Sequence, residues 1–349
     1  MSDLTPSGGN DPGEGGRSAS SATRNSAPAS SGTRAVPRAV SNEHLAGDKW
    51  FRGGTTGIGM GVFLLLLAIG VFLFLKALPA FNRNGFVSFL TTTTFQTSGA
   101  HPVFGVASLL FWTVVIALIA AVVGVPLAVG TALFIVEFAP PGLRRVLITV
   151  IDLLAVVPSI IFGLWGVYLL QPKMFGFEKF LTTHLGFIPL FHTTSAILES
   201  SALIAGTVVG IMIVPVVTSI TREIFSLAPQ GEREAALALG ASKASMIRTV
   251  VLPFGRGGMI GAVMLGIGRA MGETVAVATI ISVSFQIDPY ILQRGANSIA
   301  AFIVLRFGAG GPLGLAALLG AGFVLFCFTL LVNLAASFIV NRSRTGASA

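Results

Sequence analysis

Apolar and polar segments alternate along this chain at membrane-crossing length. Six apolar runs lie near 55–78, 103–136, 146–170, 197–221, 258–286 and 312–340. Each can reach across a hydrocarbon core, which takes about 20 helical residues. The second and fifth are longer than needed, which predicts a tilt or an interfacial first turn. Polar segments separate them at 79–102, 137–145, 171–196, 222–257 and 287–311. The pattern predicts an all-α membrane protein with six transmembrane helices and both termini on one side. Pro126, Pro158 and Pro215 fall inside the second, third and fourth runs. Each removes a helix hydrogen bond and predicts a kink, tolerated where a neighbouring helix or a cavity satisfies the freed carbonyl.

Residues 1–52 break the pattern. They are rich in Gly, Ser, Ala, Thr, Pro and Arg and almost lack large apolar side chains. Such a segment buries too little surface to offset its ordering entropy, so a disordered tail is expected. It is not expected to be a signal peptide, because no apolar core follows a short basic start. A membrane-spanning body at 53–342 and a short tail at 343–349 complete the predicted organisation.

Composition agrees with a membrane protein. The chain is 53% hydrophobic and 10% charged, against about a quarter charged in soluble domains. The net charge of +8 need not mean nucleic acid, since membrane proteins gather Lys and Arg in cytoplasmic loops. One face carries Arg38, Lys49, Arg52, Arg144, Arg145, Arg222, Arg233, Lys243, Arg248, Arg256, Arg342 and Arg344, twelve in all. The other carries six: Lys76, Arg83, Lys173, Lys179, Arg294 and Arg306. The positive-inside bias therefore predicts cytoplasmic termini and a cytoplasmic 222–257 loop.

That loop has the most specific local pattern. Ala228-Pro229 opens a run of helix formers from Gln230 to Leu239, with Glu232 and Glu234 in the early turns. A proline near the first helical position and acids near the positive dipole end fit a helix start. Gly240 can take the left-handed conformation that ends it. Ser242 is a good cap for a second helix, Lys243 to Val251, which Pro253 is expected to stop. Ala235, Ala236 and Ala238 leave a small surface that a partner groove could approach closely. Two short helices at an angle, projecting into the cytoplasm, suit docking to another protein.

The fifth run reads Gly-Arg-Ala-Met-Gly-Glu-Thr from Gly268 to Thr274. Arg269 and Glu273, at i and i+4, are expected on one helical face. Ionisable groups at such depth usually face a cavity or a partner and mark a transport path; the alternative is an internal pair that tightens packing. Gly268 and Gly272 form a small-x3-small pair that lets a second helix approach.

Other chemistry is not indicated. Cys327 stands alone, which leaves it no disulfide or metal partner within the chain. His44, His101, His184 and His192 fall outside the apolar runs. None of the five lysines sits in a Walker loop, so no cofactor is expected on this chain. The energy source is expected to be another polypeptide.

Glu234-Ala235-Ala236, Gly240, Val250, Leu252 and Pro253 resemble the Glu-Ala-Ala loop of ABC importer permeases. There the loop is the coupling helix that sits in a cleft of the ATPase. Residues 264–277, with Gly-Arg-Ala-x-Gly-Glu-Thr, and 158–166, Pro-Ser-Ile-Ile-Phe-Gly-Leu-Trp-Gly, are similar to the phosphate-specific members, of PstC type. The resemblance spans roughly residues 55 to 342. It implies a type I (MetI-like) ABC importer permease with cytoplasmic coupling helices, in a prokaryotic cytoplasmic membrane. It implies a heterodimer with a PstA-like permease, two PstB-like ATPase subunits that use ATP and Mg, and an extracytoplasmic PstS-like phosphate-binding protein. It assigns Arg269, Glu273 and Thr274 to the phosphate path, and Glu234, Ala235, Ala236, Gly240, Leu252 and Pro253 to ATPase coupling.

Physical chemistry adds an argument for phosphate. Arg offers an oxyanion a bidentate fork. Hydrogen phosphate also carries a proton that a carboxylate can accept, whereas sulfate does not and would be repelled by Glu273. Three other readings stay open here: a permease for sulfate or molybdate, an ion-driven secondary transporter or channel, and an intramembrane hydrolase. The second leaves the Glu-Ala-Ala loop unexplained. The third lacks a histidine or aspartate within a span to activate Ser282 or Ser284.

Overall fold

The computed structural model describes residues 46–96, 102–193 and 199–345. The expected tail up to residue 45, His44, His101 and the last four residues lie outside them. By backbone contacts the chain divides into Met1–Gly57 and Ile58–Ala349. In the first, the described part is the opening of a helix, with Trp50 and Phe51 exposed.

The structure is helical. Helix α1 (Ala46–Asn84) is followed by α2 (Phe86–Thr91) and by strands β1 (Phe95–Gln96) and β2 (Val103–Phe104). The strands pair antiparallel, Phe95 opposite Phe104. Helix α3 (Ala107–Leu133) ends in a π turn, Phe134–Phe138. Next come α4 (Pro141–Val156), α5 (Ser159–Trp165), a π turn at Gly166–Leu170 and α6 (Gln171–Leu185). Helix α7 (Ala202–Ser226) leads to α8 (Gln230–Ala238), α9 (Lys243–Met246), a π turn at Ile247–Val251 and α10 (Leu252–Met271). Helices α11 (Val275–Ile280), α12 (Ile299–Arg306) and α13 (Gly311–Thr345) complete the order.

Among the described residues, six helical stretches are long and apolar enough to cross a membrane: Trp50–Arg83, Ala107–Phe138, Ser159–Leu185, Ala202–Ser226, Lys243–Met271 and Gly311–Phe338. The number matches the hydrophobic pattern, and four positions match closely. The third and fifth differ. Around the third run the chain breaks at Val157, whose backbone is extended (ψ 128°) before Pro158, a geometry the proline ring favours in the residue before it. The expected 146–170 span is thereby cut into α4 and α5, and continuous helix resumes at Ser159. The fifth helix begins earlier than expected and stops at Met271. Beyond α11 the apolar residues up to 298 are largely non-helical.

Pro253 does not end the helix expected from Lys243 to Val251. Proline lacks the N–H that an α-helix would bond to Thr249, but the π turn just before it changes the hydrogen-bond register. Pro253 then sits in the first turn of α10, where an N–H is not needed. The 222–257 loop is thus continuous with the fifth crossing. Pro126 and Pro215 lie inside α3 and α7.

Helices α3 and α7 form the centre. A Cβ on Gly124 would lie 2.5 Å from the Gly210 carbonyl oxygen, and one on Gly206 2.6 Å from Ile119. Only glycine permits such close backbones in a membrane, where tight packing holds helices together. Trp112, Ile116, Ala120, Val208, Val209 and Ile213 fill the seam. On its other flank α7 receives α10, with Gly255 against Phe225, Gly258 against Ile224 and Gly266 against Val217.

The irregular 281–298 segment is held by side chains of α3. Trp112 Nε1 donates to the Gln286 carbonyl at 2.9 Å, and Thr113 Oγ1 accepts from the Ile299 N–H at 3.0 Å. Non-helical backbone at membrane depth is tolerated where protein groups satisfy it in this way. Helix α1 is the opposite case: almost none of its apolar stretch is buried, so this surface is available to lipid or another subunit.

Candidate functional site

The 228–253 segment folds for local reasons. Pro229 precedes α8 in an extended conformation (ψ 125°). At the far end Gly240 takes φ +83°, with its N–H bonded to the Leu237 carbonyl and that of Ala241 to Ala236. This reciprocal pair is a Schellman cap, which closes the orphan carbonyls of a helix end. Ser242 caps α9, its side chain accepting from the Ser245 N–H at 3.2 Å. The first helix, its end at Gly240 and the cap at Ser242 match the sequence pattern, whereas the second helix runs on into the fifth crossing.

Glu234, Ala235, Ala238 and Leu239 form the exposed side of this unit, Leu239 to 90%. Ala236 belongs instead to the underside, packed on a cluster of Ala132, Phe225, Ala228, Met246, Ile247 and Val251. The expected small surface is therefore made by Ala235 and Ala238. Leu252 is half-buried and Pro253 exposed.

An ion pair beneath the loop had no counterpart in the sequence reading. Arg233 Nη1 stands 2.8 Å from Glu137 Oε1, both largely buried. Arg233 also donates to the Phe225 carbonyl, and Lys243 Nζ to the Glu137 carbonyl. A cavity of about 420 Å³ beside them is lined by Glu137, Arg144, Arg233, Glu234 and Lys243, among others. One signal was available: Glu137 is the sole acidic residue between Asp48 and Asp152.

The signature in the fifth crossing is arranged differently from the expectation. Arg269 is in the last turn of α10, and Gly272 caps that helix (φ −88°, ψ 0°). Glu273 therefore lies past the helix end, not one turn up the same face. It is buried, 8% exposed, and its Oε1 accepts from the Ala276 N–H at 3.1 Å, inside the first turn of α11. Thr274 is half-buried at the N-cap of α11. Arg269 is exposed and lines a cleft of about 590 Å³ with Gly268, Gly272, Thr329 and Asn333. No ion contact joins Arg269 to Glu273. Beside Arg269 the surface is low: a Cβ on Gly268 would find Asn333 Oδ1 at 3.8 Å and nothing nearer.

Six candidate crossings among the described residues, a capped helix pair continuous with the fifth, and an exposed arginine beside a helix break describe a multi-pass transport permease, an integral membrane subunit. The family described as "Binding-protein-dependent transport system inner membrane component" matches residues 124–345. Relatives extend the likeness over most of the chain. "Phosphate transport system permease protein PstC 2" of Mycobacterium tuberculosis is 40% identical over 304 residues, 86% of this chain and 94% of the relative. "Phosphate transport system permease protein PstC" of Haemophilus influenzae is 34% identical over 299 residues, 84% and 93% of the two chains. Among solved structures, an inward-facing MetNI methionine ABC transporter is similar at 20% identity and TM-score 0.47, over 68% of this chain and 94% of that one. The chain belongs to the inner membrane component family of binding-protein-dependent transport systems, and within it to the PstC permeases.

Proposed function

We propose that this chain is the membrane-spanning subunit of an ATP-driven phosphate importer. The 40% identity to PstC permeases across 86% of the chain carries the reading. The geometry supports it: the capped α8–α9 pair presents an exposed docking side, and Arg269 opens onto a cleft beside low glycine surface.

In this reading the coupling loop docks on a PstB-like ATPase in the cytoplasm, where both termini also lie. ATP and Mg act there, not on this chain. A PstA-like permease covers the exposed glycines of α10, and a PstS-like binding protein delivers phosphate from outside. ATP-driven closure of two ATPase subunits is carried through α8 and α9 into the crossings, giving alternating access. Arg269 meets the anion at the subunit interface. Glu273 accepts a hydrogen bond from the phosphate hydroxyl when the break at Gly272 opens, and Thr274 lies beside it on the path.

The test is binding-protein-dependent uptake of labelled phosphate by the co-expressed assembly, wild type against Arg269→Gln. ATP-dependent uptake that collapses in a variant still bound to its ATPase is the expected result. Unchanged uptake would remove Arg269 from the path. Failure of the wild type on phosphate, with transport of sulfate or molybdate, would overturn the substrate.

A further inference from the structure

We infer that Glu137 is a positioning residue that locks the coupling helix to the second crossing, so that motion of α8 is delivered to three helices at once. The inference rests on the importer reading and adds a transmission element to it.

Three attachments converge where α8 meets the π turn after α3 and the end of α7. The Glu137 carboxylate holds Arg233 of α8 at 2.8 Å. The same guanidinium donates to the carbonyl of Phe225, in the last turn of α7. The Glu137 carbonyl in turn accepts from Lys243, the first residue of α9, whose Nζ also lies 4.7 Å from the ring centroid of Phe138. The ends of the second, fourth and fifth crossings are therefore tied to α8 through three side chains, those of Glu137, Arg233 and Lys243. Chain connectivity alone would join α8 only to the fourth and fifth.

The chemistry suits a lock more than simple packing. An apolar base already lies under α8, where Ala132 of α3 meets Phe225, Met246 and Ile247. A carboxylate only 5% exposed at that site costs desolvation that an apolar side chain would not. A partly buried ion pair, unlike an apolar contact, fixes direction and is weakly screened by salt. Sliding α8 along α3 would separate these charges, so α8 and α3 move together.

The test uses the complete transporter in lipid bilayers, with Cys327→Ser as background. Spin labels at positions 127 of α3 and 232 of α8 report their separation. The wild type should give a narrow distance distribution. Glu137→Gln should at least double its width, and ATP hydrolysed per phosphate imported should rise tenfold or more. An unchanged width overturns the inference, as does a broadened distribution with a coupling ratio within twofold of wild type. If Glu137→Gln does not assemble, Glu137→Asp is read by the same criteria. Loss of assembly in both would make the contact structural only, which also overturns it. If the wild type moves no phosphate, the substrate reading fails while the distance measurement still decides the lock.

Discussion

The Glu273 carboxylate accepts a hydrogen bond from the Ala276 N–H, while Arg269, one turn earlier in sequence, faces an open cleft and makes no ion contact with it. The helix break at Gly272 separates the two charges. Glu273→Gln therefore keeps an acceptor for Ala276 and removes only the charge. If the carboxylate accepts a hydrogen bond from the phosphate hydroxyl, this variant should assemble normally, import at least tenfold more slowly and discriminate less against sulfate. Competition between labelled phosphate and unlabelled sulfate measures this. Intact uptake and preference would remove Glu273 from the path.

Gly240 sets the angle between α8 and α9 at φ +83°. The left-handed conformation costs a residue with a Cβ about 1–2 kcal/mol. No atom lies within 4 Å of the added Cβ, so Gly240→Ala introduces backbone strain without a clash. The expected outcome is a folded permease that binds its ATPase roughly fivefold or more weakly, since about 1.4 kcal/mol is tenfold. Titrating the ATPase onto the purified permease pair reads this. Equal affinity would show that the angle does not matter to docking.

Gly124 and Gly130 lie in the same helix and should respond oppositely. A Cβ at 124 would press on the Gly210 carbonyl at 2.5 Å, and backbone cannot yield cheaply; one at 130 meets nothing within 4 Å. Overpacking of this kind costs about 1–3 kcal/mol, whereas removing an open helical glycine gains up to about 1 kcal/mol. Gly124→Ala should lower the thermal denaturation midpoint in detergent and Gly130→Ala should not. Matching midpoints would contradict the α3–α7 seam described here.

What the sequence made legible follows from the range of the forces involved. Helices α8 and α9 were readable because Pro229, Gly240 and Ser242 act within a few residues. The crossings were readable as continuous apolar runs. The expected fifth run reaches past the helix end because residues 281–285 are apolar enough to extend it, yet their backbone is non-helical, and Trp112 of a distant helix bonds the carbonyl of Gln286 next to them. Periodicity does not separate a buried extended run from a helix. Glu273 was misplaced for a related reason: i and i+4 share a face only while the helix continues, and Gly272 ends it. The Glu137–Arg233 pair joins separate polar segments, and nothing local to either residue signals it.

Thr113 offers a sharper test of how the irregular segment is held. Its hydroxyl donates to the Leu109 carbonyl at 2.6 Å and accepts from the Ile299 N–H at 3.0 Å, with Thr113 and Ile299 both buried. Thr113→Val keeps the shape but leaves that N–H without a partner, at a cost of about 1–3 kcal/mol. Thr113→Ser retains the hydroxyl. The valine variant should denature at lower temperature and be cut faster by protease between 281 and 298, and the serine variant should stay close to wild type. The segment packs between α3 and α12, so loosening it should also slow uptake without weakening ATPase binding. If valine and serine behave alike, the hydroxyl is not what holds Ile299, and apolar packing of Trp112 and its neighbours must do so alone.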